Sequence, residues 1–237
     1  MSLARFVIRR WMLSMQEKNK MTDIIIVGAG GCGREVANWI EDINKMEESW
    51  NILGFLDDNL EAFNDFPSKY QIIGTIKEHK PRVDVKYAMG IANPEVKKIV
   101  GSALIKKGAQ FASIIHPSTR LYSEYNLGVG LVTYPNSKIA TGCRIGDFVT
   151  LQSTILGHDS QLEDYVTVSS NCGITGGTKL REGCFIGDHA CIAVGLEIGA
   201  GAYVGIGSVV IRDVPNSTRV FGNPARVFGN KEQDIRD

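Results

Sequence analysis

The chain has 237 residues, 26 Lys and Arg balanced by 26 Asp and Glu, and 43% hydrophobic residues. That length and apolar content support one large or two small domains with a real core. The even charge excludes recognition of nucleic acid or an anionic membrane through bulk charge.

Residues 1–20 hold apolar runs of only three residues, split by Arg9 and Arg10. A secretory signal needs about 7–15 consecutive apolar residues and a membrane span about 20. The segment therefore reads as a basic extension, and no membrane partner is expected. Residues 23–27 (DIIIV) then read as a strand, followed by GAGGCG and the helical REVANWIEDIN. A second strand at 52–56 runs into Asp57-Asp58-Asn59. A third at 85–89 meets Gly90 and the helix candidate PEVKKIVGSALIKKG, and a fourth, FASII at 111–115, leads out through His116-Pro117. Alternating strand and helix on this scale predicts a small parallel α/β domain, half-Rossmann-like, over residues 21–110.

The glycines of GAGGCG, between a strand and a helix, let backbone approach a diphosphate, while the helix N-terminus supplies amide donors. Asp57 or Asp58, at the end of the second strand, can accept hydrogen bonds from a ribose or base. Only about 90 residues precede the next region, room for one mononucleotide half rather than the two of a full dinucleotide fold. One nucleotide or nucleotide sugar fits that space better, with an oxidoreductase as the distant alternative.

From Ile115 to Val210 an aliphatic residue recurs at nearly every sixth position. Sixteen of seventeen starts are Ile, Leu or Val, the exception being Thr133. One step, residues 151–155, is a residue short. Gly often follows the aliphatic residue (Gly128, Gly146, Gly187), and the fifth position is small (Ser137, Cys143, Cys172, Cys184). A period of six fits neither a helix nor simple strand alternation. It fits a parallel β-helix, three hexads to a coil, with coils pairing about 4.8 Å apart. Seventeen hexads make between five and six coils over residues 111–214, taken as left-handed, the hand hexapeptide repeats adopt against the usual crossover rule. Residues 215–237 carry VFGNPARVF and a charged tail.

The five cysteines (Cys32, Cys143, Cys172, Cys184, Cys191) are odd in number and lack C-x-x-C spacing. Cys143, Cys172 and Cys184 fall at the small inward position of the hexad and read as core thiols in a reducing, cytoplasmic compartment. Of four histidines, His79 reads as solvated in KEHKP and His116 as structural at the domain junction. His158 is third in its hexad, an outward position, and Asp159 follows it. An imidazole beside a carboxylate can serve as general base. Adjacent residues on a flat strand point to opposite faces, so Asp159 orients His158 only where the backbone turns. His158 and His189, the nearest pair, stand 31 residues apart, so no metal site is expected.

The motifs IIIVGAGGCG, GFLDDN, YAMGIANPEVKK, IIHPS, GHDSQLEDYVTVSSNCGITGG and GNPARVF, in that order, resemble one family. It is the bacterial hexapeptide-repeat sugar acetyltransferases with an N-terminal nucleotide-sugar-binding domain. Its members include N-acetyltransferases of UDP- or GDP-linked 4-amino-4,6-dideoxy sugars, with sialic-acid O-acetyltransferases as cousins. The resemblance implies acetyl-CoA-dependent N-acetylation of a nucleotide-linked amino sugar for surface glycans. It also implies a homotrimer with active sites between adjacent β-helices, and direct transfer without a metal. It makes His158 the base and Asp159 its support, puts the Gly176 amide on the thioester oxygen, and sets Thr167 near the acetyl group. Arg226 would meet phosphate at the nucleotide end of CoA. Gly28, Gly30, Gly31, Gly33, Asp57, Asp58 and Asn93 would bind the nucleotide sugar.

Two features depart from the family: the short hexad 151–155, and Lys97 where an arginine is common. O-acetylation of a sugar hydroxyl would use the same base. A non-catalytic β-helical nucleotide-binding scaffold is the reading of a different class, and the His-Asp pair weighs against it.

Overall fold

The structure is a computed structural model that describes residues 21–66, 68–122 and 125–230. The expected N-terminal extension and the end of the charged tail lie outside the described residues. Five parallel strands open the fold: β1 (Thr22–Val27), β2 (Trp50–Leu56), β3 (Ile72–Gly74), β4 (Lys86–Met89) and β5 (Gln110–Phe111), in the order β3-β2-β1-β4-β5. Helix α1 (Gly31–Met46) connects β1 to β2, and α2 (Pro94–Lys106) connects β4 to β5.

β1 is apolar on both faces because both are covered. Ile24 and Ile26 share a core with Val36, Ala37 and Ile40 of α1. Ile25 and Val27 face the other way, onto a core with Leu104 of α2. The strand order reverses between β1 and β4, which places a crevice outside their carboxyl ends. Two details differ from the sequence reading. β3 was not expected, since its three residues are too few to show alternation, and it is held by pairing with β2. The expected strand 111–115 is two elements: β5 closes this sheet, and Ile114–Ile115 begins the next.

From Ile114 to Val210 the described residues form seventeen strands of two residues each, stacked into three parallel sheets. The aliphatic hexad starts from Ile139 to Val210 are buried and form one continuous core with the inward Cys143, Cys172 and Cys184. Thr133, the exception, is equally buried. Its hydroxyl meets Thr119 Oγ1 at 2.7 Å and accepts from the His116 N–H at 3.2 Å, so the polar atom is not left unsatisfied.

From Gly130 to Gly207 each corner turns on one residue in the left-handed region, among them Asn136, Gly142, Phe148, Ser153, Asp159, Tyr165, Asn171 and Gly177. The interval from Phe148 to Ser153 is where the repeat loses a residue. Three residues join Leu151 to Ile155, where four join Ile139 to Arg144. Pairing is undisturbed, with Ile155 beside Lys138 on one side and Gly173 on the other. The chain shortens a corner and keeps every aliphatic residue in the core.

The outer face of one sheet is covered by the N-terminal domain. Phe148, at a corner, packs edge-on against Phe111 and stacks on Tyr165. Gly101 in α2 gives it room: a Cβ there would stand 3.4 Å from the Phe148 ring. On the other side His116 meets the Trp39 ring edge-on and its Nε2 lies 3.3 Å from Asp42, the structural role expected of it. His79 is not the solvated histidine expected. It is half-buried, 2.9 Å from the Tyr87 hydroxyl, and burial lowers its pKa.

Candidate active site

The hexad that carries His158 places Leu156 in the core, Gly157 and His158 at the corner, and Ser160 inward. The corner is fixed from both sides. The Asp159 N–H donates to Thr141 O of the preceding coil at 3.0 Å, and the His158 carbonyl accepts from the Gly177 N–H of the following coil at 2.8 Å. Asp159 has φ +58°, a conformation a short polar residue tolerates better than most. That turn brings both side chains to one side, and His158 Nδ1 lies 2.8 Å from Asp159 Oδ2. The turn belongs to the regular corner pattern, while the short hexad is one corner upstream and does not produce it.

Two glycines shape the space around this pair. A Cβ on Gly176, one coil on, would stand 2.6 Å from His158 Nε2. A Cβ on Gly142, one coil before, would stand 2.2 Å from Asp159 Oδ1. The imidazole lies along bare backbone above, and the carboxylate along bare backbone below. Gly142 escaped the sequence reading, because corner glycines recur through the repeat and nothing marks this one as special. Side-chain exposures of 66% for His158 and 68% for Asp159 leave the pair open on this chain's surface.

The sequence-singled residues of the N-terminal domain gather at the β1 end. Gly28 (φ +98°), Gly33 and Gly90 are packing glycines: a Cβ on Gly33 would stand 1.9 Å from Gly28 O. At Gly30 and Gly31 a Cβ would meet nothing within 4 Å, so this is where the turn faces open space. Gly30, the N-cap of α1, offers no side-chain cap and the first turn holds no acid, leaving the helix N-terminal amides and positive dipole end available to an anion. Asp57 braces the turn, with Oδ2 accepting from the Ala29 N–H at 2.7 Å and Oδ1 from the Asn59 N–H at 2.8 Å. Asp58 accepts from the Lys77 N–H. Asn93 caps α2, its Oδ1 accepting from the N–H groups of Glu95 and Val96.

A cavity of about 570 Å³ opens beside the turn, between Gly31, Arg34 and Glu35 of α1, Ala92, and Tyr134 and Gln152 of the β-helix. Among the described residues, Arg34 Nε is buried without a hydrogen-bond partner. Gln152 stands on the shortened corner, so that corner forms part of the cavity wall.

Two further expected site residues stand apart from the His-Asp pair in this chain. Thr167 was expected near the acetyl group. Its side chain is wholly buried on the sheet that α2 covers, and its hydroxyl donates to Ala92 O at 2.6 Å. His158 follows a strand of a different sheet, so within one chain the fold separates Thr167 from the His-Asp pair. Sequence parity shows that Thr167 points outward but not that another domain covers it. Arg226 is exposed on the C-terminal hairpin (Thr218–Phe221 with Arg226–Asn230) and donates to Ala225 O. Among the described residues, no three His, Cys, Asp or Glu side chains converge as a metal site.

A nucleotide-binding-type sheet docked on a hexapeptide β-helix with an exposed His-Asp corner defines an acyltransferase architecture. Residues 23–104 match the family model described as the PglD N-terminal domain. A GDP-perosamine N-acetyltransferase of Escherichia coli O157:H7 is 32% identical over 209 residues, covering 85% of this chain and 94% of that protein. The acetyltransferase domain of PglB from Neisseria gonorrhoeae FA1090, solved with acetyl coenzyme A, superposes with a TM-score of 0.79 at 24% identity, over 88% of this chain and 100% of that one. PerB from Caulobacter crescentus, solved with CoA and GDP-perosamine, gives 0.78 at 22% identity, over 89% and 99%. The chain belongs to the hexapeptide-repeat sugar acetyltransferases.

Proposed function

We propose that the protein transfers the acetyl group of acetyl-CoA to the amine of a nucleotide-linked amino sugar, of the UDP- or GDP-4-amino-4,6-dideoxy type, for surface-glycan synthesis in the cytoplasm. The observation that carries this reading is the His158–Asp159 pair at 2.8 Å on an open corner. An Asp159 carboxylate on Nδ1 favours the tautomer whose Nε2 is free to take a proton. Nε2 faces the bare Gly176 backbone, whose N–H has no backbone acceptor among the described residues.

In the proposed step the sugar amine attacks the thioester carbon as His158 removes its proton, and the Gly176 N–H stabilises charge on the carbonyl oxygen. The C–N bond forms, the C–S bond breaks, and the proton leaves with the CoA thiol. A positioned base is worth about 10²–10⁴-fold and one oxyanion donor about 10²–10³-fold, with alignment supplying much of the rest.

The cavity at the glycine turn, with uncapped α1 amides and Arg34 in its wall, suits the diphosphate of the acceptor. A groove of about 610 Å³ between Tyr203, Ile206, Phe221 and Phe228 supports placing the distal part of CoA beside the Arg226 hairpin. The glycine-turn cavity lies on the α2-covered sheet, away from this chain's own His158, so an acceptor held there would meet the base of a neighbouring copy. A stripe along the sheet before the His158 corner, with Ile155 54% exposed, Cys191 exposed, and Gly173 and Val209 half-buried, supports a trimer packed on that face.

Thiol release from acetyl-CoA, screened against UDP-, GDP- and dTDP-linked amino sugars, tests the activity. His158→Ala should lower kcat on the acetylated sugar by about 10²–10⁴-fold with an unchanged circular-dichroism spectrum. Full activity in that variant would rule the mechanism out.

A further inference from the structure

Lys97, on α2, is wholly buried. Its Nζ lies 3.0 Å from Thr150 Oγ1, 2.9 Å from Thr167 Oγ1 and 3.3 Å from Val166 O. Those three oxygens match the three donors of an ammonium, and none belongs to a carboxylate. A buried lysine without an acid is costly to keep, and a leucine or methionine would fill the same space. Its presence calls for a task that a hydrophobic side chain would not perform.

The hydrogen bonds identify that task. Thr150 and Thr167 are cross-strand neighbours on adjacent coils, so one amine grips two coils at once. Thr167 accepts from Lys97 and donates its own O–H to Ala92 O at 2.6 Å. Ala92 lines the cavity at the glycine turn, one residue before the Asn93 cap of α2. The segment 92–97 is therefore tied to the β-helix at both ends, by its carbonyl at Ala92 and its amine at Lys97.

We propose that Lys97 is a positioning residue for the acceptor: acting through Thr167, it fixes the Ala92 wall of the glycine-turn cavity to the β-helix. This rests on the reading of that cavity as the site of the nucleotide part of the acceptor. The wall is then set by the element that carries the chemistry, not by the N-terminal domain alone.

The test uses the full chain and two probes, GDP and UDP, titrated by calorimetry, alongside acetyl-transfer kinetics. Thr167→Val removes the relay while leaving Lys97 and the side-chain volume in place. The expected result is about a tenfold loss of affinity for whichever nucleotide the wild type binds, the scale of one lost buried hydrogen bond. A matching rise in acceptor KM is expected, with acetyl-CoA KM unmoved. Thr167→Ser, which keeps the hydroxyl, should restore wild-type affinity, and Lys97→Met should behave as Thr167→Val does.

Wild-type nucleotide affinity in a folded Thr167→Val protein, or equal rises in both KM values, would overturn the proposal. Weakened nucleotide binding in a protein that acetylates no amino sugar would leave Lys97 in its role and remove the proposed reaction. A wild type that binds neither nucleotide would remove both.

Discussion

At the scale of single residues, the site depends on side chains that are absent. His158 and Asp159 are highly exposed and have room only because Gly176 and Gly142 offer bare backbone. Gly176→Ala would put a methyl 2.6 Å from Nε2, and the ring, free on its solvent side, would swing away. Stability should hardly change, while kcat falls by on the order of 10²-fold, the cost of an ångström-scale misplacement of a catalytic group. Steady-state kinetics paired with a thermal melt check this split, and a parallel loss of folding would show that the glycine serves packing alone. Gly142→Ala is a different case. At φ +74° the alanine is strained by about 1–2 kcal/mol and also displaces the Asp159 carboxylate, so both melt and rate should fall. Asp57→Ala removes the brace on the Ala29 amide and should weaken nucleotide binding while leaving acetyl-CoA KM unchanged. An unaltered acceptor KM in that variant would count against the domain's proposed role.

At the scale of elements, the repeat was legible because its signal is covalent and strictly counted. One aliphatic residue per six, inward at every coil, admits few other folds, and the left-handed corner residues keep the same count. The His-Asp pair was legible in part, since its outward position follows from the hexad but the turn that joins the two side chains needs the φ of Asp159. Short or shared elements were hidden. β3 has three residues and no pattern of its own, and the run 111–115 serves two sheets. The cover on Thr150 and Thr167 was hidden for a related reason, because parity along a strand shows which residues point outward and says nothing of what lies on them. The short hexad is the element-scale departure most open to test. It leaves the core register intact and sets Gln152 in the cavity wall. Inserting one glycine after Gln152 should therefore cost little stability, less than about 1 kcal/mol for so small a loop change, yet shift acceptor KM. Urea unfolding and acceptor kinetics on the insertion variant separate the two effects, and unchanged acceptor kinetics would reduce the short corner to a neutral deletion.

At the scale of the whole molecule, the two domains meet through packing, polar contacts such as His116–Asp42 and Thr167–Ala92, and one buried amine, and the amine makes their union depend on pH. Burial pushes Lys97 down to about 7 from its ordinary 10.5. The ionisable groups that oppose the shift are Cys32 on α1 and Cys184 in the β-helix. Below about pH 7 both folded and unfolded chains carry the proton, so the cost of burying the charge is present in full. Between about 7 and 10.5 the unfolded chain holds a proton that the folded chain has released, and stability must rise with pH across that window. The thiols of Cys32, Cys143 and Cys172 are pushed upward by burial, so they oppose this trend only above their ordinary value of 9.0, and measurements from pH 6.5 to 8.8 isolate the lysine. Urea unfolding of wild type and Lys97→Met over that range should give diverging curves. The wild type should gain on the variant as pH rises, because the methionine has no charge to bury at any pH. Parallel curves would mean that Lys97 keeps its proton throughout, held as an ammonium by its three oxygens, and that the domain junction is insensitive to pH.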